Sequence, residues 1–177
     1  MTRTEALAWV WLASSRPDGN TAALARAAFP ADRGRLVDIG ARRIGYYSYT
    51  YAHAGDDFLG LVEEAIAHRV WVIATPLYWY TMSAQAKTLL DRFSDLLEER
   101  KDLGHRLRGI RLAILCAGAD ADAPENFAQP FELTAQYLGM PFLGCHYAQL
   151  GEDAPMTAEK HAAAQRFGTG AWLAAQQ

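Results

Sequence analysis

Five short apolar runs recur along the chain, and amphipathic segments at helical spacing separate them. The first run, Ala6 to Ala13, is apolar throughout and stops at Ser14-Ser15, as expected of a strand buried on both faces. Arg35 to Ile39, Val70 to Ala74, Ile110 to Cys116 and Phe142 to Tyr147 read as four more strands. Asn20 to Phe29 is alanine-rich, reads as a helix and ends at Pro30, which cannot continue one. Asp56 and Asp57 open a second helix, with carboxylates suited to capping and to the positive end of its dipole. Its apolar face is Phe58, Leu61, Val62, Ala65 and Ile66. Ser83 to Glu98 predicts a helix with Ser83 as N-cap and Ala86, Leu89, Leu90, Phe93, Leu96 and Leu97 on one face. Pro130 to Leu138 predicts another, with proline in its first turn. A closing helix is expected from Thr157 to Phe167, extending towards Trp172. Ala41 to Gly55 reads as a long loop holding Tyr46, Tyr47, Tyr49 and Tyr51.

Strict alternation of strand and helix predicts an α/β fold: a doubly wound parallel sheet with helices on both faces. Five strands favour the order 2-1-3-4-5. No repeat, low-complexity tract or linker interrupts the 177 residues, so one domain over 1–177 is expected.

Composition narrows the classes. Apolar residues make up 51% and charged residues 21%, which is ordinary for a soluble globular chain. No apolar run approaches the ~20 residues that span a bilayer. The first run is too short for a signal segment, so a cytoplasmic location is expected. A net charge of −3 argues against a nucleic-acid partner. The densest basic stretch, Arg100 to Arg111, is interrupted by Asp102 and reads as a solvated loop. Cys116 and Cys145 form no C-x-x-C pair, and the five histidines show no ligand spacing, so no metal site is expected. Lys87 and Asp91, four apart, read as a surface pair.

Two loops carry candidate chemistry. Ser14-Ser15-Arg16-Pro17-Asp18-Gly19-Asn20-Thr21 joins the first strand to the first helix. Its hydroxyls, its glycine, Arg16 and the helix N-terminus suit an anion. It has neither G-x-x-x-x-G-K nor G-x-G-x-x-G, so a phosphate monoester fits better than a polyphosphate. A plain capped turn has the same outward form. The second loop, Thr75-Pro76-Leu77-Tyr78-Trp79-Tyr80-Thr81-Met82-Ser83, follows the third strand. Three adjacent rings cannot all face one core. Either they meet a flat ligand, or one packs inward while the others cover a neighbouring subunit. In the order 2-1-3 the two loops flank the crevice where strand order reverses, the usual ligand position in such sheets. A phosphate at one end and a flat ring at the other describes FMN.

Residues 74–87, Ala74-Thr75-Pro76-Leu77-Tyr78-Trp79-Tyr80-Thr81-Met82-Ser83-Ala84-Gln85-Ala86-Lys87, continue to Asp91-Arg92. This stretch resembles the flavin-ring loop of the flavodoxin-like NAD(P)H-dependent FMN reductase and quinone oxidoreductase family. Ser14-Ser15-Arg16 with Gly19-Asn20-Thr21 is similar to that family's phosphate loop, with Ala13 where glycine is usual. The resemblance covers essentially the whole chain. It implies FMN as cofactor, NADPH or NADH as hydride source and a small acceptor such as a quinone or free flavin. By matching position it implies that Ser14, Arg16, Gly19, Asn20 and Thr21 hold the phosphate. Pro76, Leu77, Tyr78 and Trp79 would then line the ring, with backbone N–H groups at its polar edge, and Gly118 would lie near the third contact. The cysteine cluster of the family's iron–sulfur branch is missing from the tyrosine-rich loop. No acid–base side chain is obligatory, so no catalytic residue is assigned. Tyr78 and His146 are weighed as hydrogen-bond donors against packed or exposed roles, and Cys116 as a buried structural thiol. A homo-oligomer, most simply a dimer, is expected from the clustered tyrosines. A flavodoxin-type electron carrier and a cofactor-free scaffold on the same fold remain as alternatives.

Overall fold

A computed structural model describes residues 7–53 and 55–174. The part of the first predicted strand at Ala6 lies outside them. Five strands, β1 (Ala8–Leu12), β2 (Gly34–Asp38), β3 (Val70–Pro76), β4 (Arg111–Gly118) and β5 (Phe142–Gln149), form one sheet. Its order is β2-β1-β3-β4-β5 and every pairing is parallel, as expected. The central strands are buried along their length because helices cover both faces, which explains their unbroken apolar runs.

The two faces differ in bulk. One holds Trp9, Trp11 and Trp71 edge to face, packed beneath α2 (Phe58–Ala65), α3 (Ala84–Arg92) and α6 (Gln129–Leu138). The other is built from Val10, Leu12, Val72 and Ala74 against the alanines of α1 (Asn20–Ala28) and α7 (Ala158–Ala174). Here the helices touch backbone to backbone. A Cβ at Gly168 of α7 would collide with the carbonyl oxygen of Ala28.

Three local expectations change. The single helix expected over 83–98 is broken at Phe93 and Ser94, where the N–H groups reach back three residues, to Leu90 and Asp91. The short α4 (Asp95–Glu98) follows. At the break Arg92 turns inward, donating through Nε to Asp95 at 2.7 Å and through its other nitrogens to Asp56. The stretch expected as a solvated loop contains α5 (Lys101–Arg106), anchored by buried Leu103. Its Arg100 cap residue is held by Asp102 and Glu63. Asp57 does not cap α2 with its side chain, whereas Asp56 accepts from Phe58 N–H at 3.0 Å.

In β5 the pairing with β4 slips between Leu112 and Ile114, and Gly144 there has φ of 99°. This bulge resets the alternation of the strand. Cys145 and Tyr147 consequently face the tryptophan side, and His146 faces the alanine side against Phe167.

Candidate active site

At the C-terminal ends of β1, β3 and β4 the loops enclose a cavity of about 580 Å³, within the range of small-molecule sites. Of the ten residues singled out above, Ser14, Arg16, Gly19, Asn20, Thr21, Pro76, Leu77, Tyr78 and Gly118 line it. Trp79 does not.

The wall after β1 is rich in donors. Ser14 and Thr21 are buried polar residues, and the Ser14 hydroxyl accepts from Arg16 N–H at 3.3 Å. Gly19 is the N-cap of α1, and no side chain caps that helix, so its first N–H groups are left for a ligand. Arg16 folds across Gly19, where a Cβ would stand 3.2 Å from the arginine's own Cβ. Hydroxyls, an uncapped helix end and a guanidinium are the donor set that a phosphate monoester requires.

The wall after β3 is tied to the first. Ser83 Oγ donates to the Ala13 carbonyl at 2.7 Å and accepts from Ala86 N–H at 3.2 Å, so one hydroxyl caps α3 and braces the phosphate-side loop. Thr75 Oγ1 accepts from Ser83 N–H at 3.0 Å, and Gln85 donates to Ser15 at 3.1 Å. The cap at Ser83 was legible in the sequence. The brace to Ala13 was not, because it spans 70 residues.

Tyr78 to Thr81 form a two-residue hairpin turn. Tyr78 N–H donates to the Thr81 carbonyl at 2.9 Å and Thr81 N–H donates back at 3.1 Å. Trp79 and Tyr80 both have positive φ, 48° and 65°, as in a type I′ turn, a geometry that usually selects asparagine and glycine. No ring packs inward: Tyr78, Trp79 and Tyr80 are 45%, 91% and 68% exposed. Leu77 N–H is engaged by the Ala117 carbonyl at 2.7 Å, and Tyr78 N–H by Thr81. The N–H groups of Trp79 and Tyr80 make no protein hydrogen bond among the described residues. The unengaged backbone donors of this turn are therefore those of the strained pair.

Gly118 closes the third wall. A Cβ there would stand 2.6 Å from Tyr147 Oη and 2.9 Å from Leu77 Cβ, so glycine is required by close packing. Tyr147 Oη donates to the Asp120 carbonyl at 2.7 Å, which fixes the loop after β4. Burial, with Cys116 and the nearby aspartates, pushes the Tyr147 hydroxyl up to about 12, so it stays protonated. Ala117, Ala119, Leu150, Gly151 and Glu152 complete the lining. Ala117 and Ala119 belong to the third loop, from Cys116-Ala117-Gly118 onward, that the resemblance implies as a contact; sequence reasoning missed Leu150, Gly151 and Glu152, although the predicted order places the end of β5 beside β4.

His146 stands apart from the cavity. It stacks on Phe167 at 5.5 Å, its Nε2 is buried without a partner among the described residues, and burial together with Arg166 lowers its pKa. Cys116 is fully buried, and burial raises its thiol well above the ordinary range. Lys87 and Asp91 form the expected surface pair at 2.6 Å. Among the described residues no group of three or more His, Cys, Asp or Glu is placed to hold a metal ion. No helix among them is long and apolar enough to cross a membrane.

A family model described as NADPH-dependent FMN reductase matches residues 8–154. YwqN of Bacillus subtilis (strain 168), which carries the provisional name NAD(P)H-dependent FMN-containing oxidoreductase, is 27% identical over 93 residues. That alignment covers 50% of this chain and 51% of YwqN, so the chain spans about half the length of this curated relative. Among solved structures, the Trp repressor binding protein from Bacillus subtilis superposes with a TM-score of 0.74 at 22% identity, covering 90% of this chain and 96% of that one. A flavodoxin, WrbA-like protein from Agrobacterium tumefaciens gives 0.62 at 19% identity, covering 97% of each. At such identities the likeness is one of fold, and the fold is flavodoxin-like. The match over residues 8–154 is more specific: the chain belongs to the NADPH-dependent FMN reductase family.

Proposed function

We propose that this chain is an FMN-dependent oxidoreductase, drawing hydride from NADPH or NADH and delivering electrons to a small acceptor such as a quinone or free flavin. The observation that carries this reading is a single cavity with an uncapped helix N-terminus and hydroxyls at one wall and Pro76, Leu77 and Tyr78 at another. When bound, FMN supplies the hydride-accepting and hydride-donating chemistry. The protein binds, orients and shields. Ser14, Asn20, Thr21 and the first N–H groups of α1 hold the phosphate, with Arg16 adding charge. Pro76, Leu77, Tyr78 and Gly118 border the ring, and the N–H groups of Trp79 and Tyr80 serve its polar edge. Fixed dipoles of this kind favour charge that develops on a ligand. No side chain of the cavity is assigned a proton.

The test is a titration of the purified protein with FMN, followed by anaerobic mixing with NADPH or NADH. Flavin fluorescence should be quenched at a one-to-one end point. The visible flavin band should bleach on mixing and return on adding a quinone. Absence of binding would sink the reading; binding without bleaching would favour an electron carrier.

The same reading takes the chain as a single cytoplasmic domain acting as a homodimer. Exposed Tyr46 and Tyr49, with Leu133 and Tyr137 one turn apart on α6, are the apolar surface that supports an interface. Light scattering at micromolar concentration should give twice the chain mass, and a monomer mass would overturn the assembly.

A further inference from the structure

Four arginines meet at the opposite edge of the sheet, where β3 and β4 begin. Arg69 precedes β3, Arg111 opens β4, Arg106 ends α5 and Arg108 lies in the turn that follows. Arg111 N–H donates to the Arg69 carbonyl at 2.9 Å, which sets those two residues side by side. Gly109, with φ of 84°, reverses the chain between Arg108 and Arg111. Gly139 lets the stem of Arg108 lie against the end of α6: a Cβ there would stand 3.1 Å from the arginine's Cγ. The four side chains line one hollow of about 510 Å³, floored by buried Ile66 and Ile110.

No carboxylate lines this hollow among the described residues. None of the four guanidinium groups has an ion-pair or hydrogen-bond partner there, whereas Arg35, Arg92 and Arg100 all sit on carboxylates. The nearby acids of α2 are engaged elsewhere, Glu64 by Arg35 and Glu63 by Arg100. In a chain with 20 acidic and 17 basic residues, four arginines lining one concavity with no carboxylate partner among the described residues are not a consequence of composition. Among the described residues, the partial negative charges at the C-terminal ends of α2, α5 and α6 lie beside them. A concave wall of one sign focuses its field on whatever enters. Guanidinium forks match phosphate oxygens two at a time.

We propose that this hollow is a second ligand site, for a small polyphosphate anion, either free or as the phosphate chain of a nucleotide. Arg111 and Gly118 stand at opposite ends of β4, about 23 Å apart at about 3.3 Å per residue. The site is therefore separate from the cofactor cavity and does not rest on the function proposed above. A hollow of this size suits a compact anion. A polynucleotide needs an extended basic stripe, and the paired acids of α2 interrupt one here.

The experiment is calorimetric titration of the protein, held in excess FMN to fill the other anion site, with tripolyphosphate, ATP and inorganic phosphate at near-physiological salt. Tripolyphosphate should bind at one site at least about tenfold tighter than inorganic phosphate. Arg108→Gln combined with Arg111→Gln should weaken it by about tenfold or more while the FMN affinity stays unchanged. Equal binding of ATP and tripolyphosphate identifies the free anion as sufficient, and tighter ATP binding identifies the nucleotide; both support the site. If the double variant folds poorly, Arg106→Gln on the exposed end of α5 replaces it. The proposal is overturned if tripolyphosphate gives no saturable heat, if the variants bind it as wild type does, or if a short oligonucleotide of equal charge binds more tightly.

Discussion

Trp79 and Tyr80 sit in the left-handed region, which costs a non-glycine residue about 1–2 kcal/mol. Tyr80 is largely exposed, so little burial offsets that strain. Tyr80→Gly should therefore stabilise the cofactor-free protein by about 0.5–1 kcal/mol, after the greater freedom of glycine in the unfolded chain is deducted. The urea midpoint should rise with its slope unchanged; a fall would mean that the ring packs better than its exposure implies. Gly118 behaves in the opposite way. Gly118→Ala must push Tyr147 or Leu77 aside, at a cost of about 1–3 kcal/mol, and should weaken FMN binding measured by fluorescence quenching. Adding Tyr147→Phe removes the nearer obstacle and should restore part of the loss, a coupling that independent sites would not show.

Between elements, Arg92 fastens α3 to α4 and to the loop ahead of α2 through Asp95, Asp56 and the Gly45 carbonyl at 3.0 Å. Burial alone would raise the Asp56 carboxyl, but hydrogen bonds from Arg92, Gly45 N–H and Phe58 N–H outweigh it and the net shift is downward. A depressed carboxylate contributes stability that is complete above its unfolded pKa of about 3.9 and is lost as pH falls through the folded value. The urea midpoint of the wild type should thus fall more steeply than that of Asp56→Asn as pH drops from about 5 to about 3. Equal slopes would place the acid sensitivity elsewhere. Arg92→Ala leaves buried Asp95 and half-buried Asp56 without their cation and should cost about 3 kcal/mol by the same measurement.

These elements also mark how far the sequence could be read. Apolar runs and helical spacing predict the five strands because these follow from local periodicity, and their strict alternation with helices, at five strands, predicts the order. The break at Phe93 was hidden because the apolar face continues through it, while the Arg92–Asp56 pair that accompanies it joins residues 36 apart. Helix α5 was hidden because its surface charges read as a loop, though its anchor is the single buried Leu103. The slip in β5 depends on pairing with β4, so Gly144 gave no signal alone, and His146 was weighed as a donor although it lies on the far face. The cavity residues after β1 and β3 were legible because their chemistry is written into contiguous loops. Glu152 and its neighbours were not, since they arrive through the order of the sheet.

Across the whole molecule, binding should register as stability. A ligand that meets only the folded state stabilises it by about 2.7 kcal/mol at a hundred times its dissociation constant. The melting temperature should climb with FMN concentration without a plateau over that range, and a concentration-independent value would argue against a native-state site. The two faces of the sheet should respond differently to change. The alanine face has helices in backbone contact at Gly168 and Ala28, so a side chain at Gly168 forces α1 and α7 apart.

The Ser83 hydroxyl, bonded at once to Ala13 and Ala86, makes the two loops of the cavity one body. A jaw whose halves cannot move separately works as a ruler. It should select ligands by the length between ring and anion, favouring FMN over riboflavin, which lacks the anion, and over FAD, whose terminal group overruns the span. Ser83→Ala would slacken that ruler, and its first symptom should be poorer discrimination among the three flavins rather than a uniform loss of affinity.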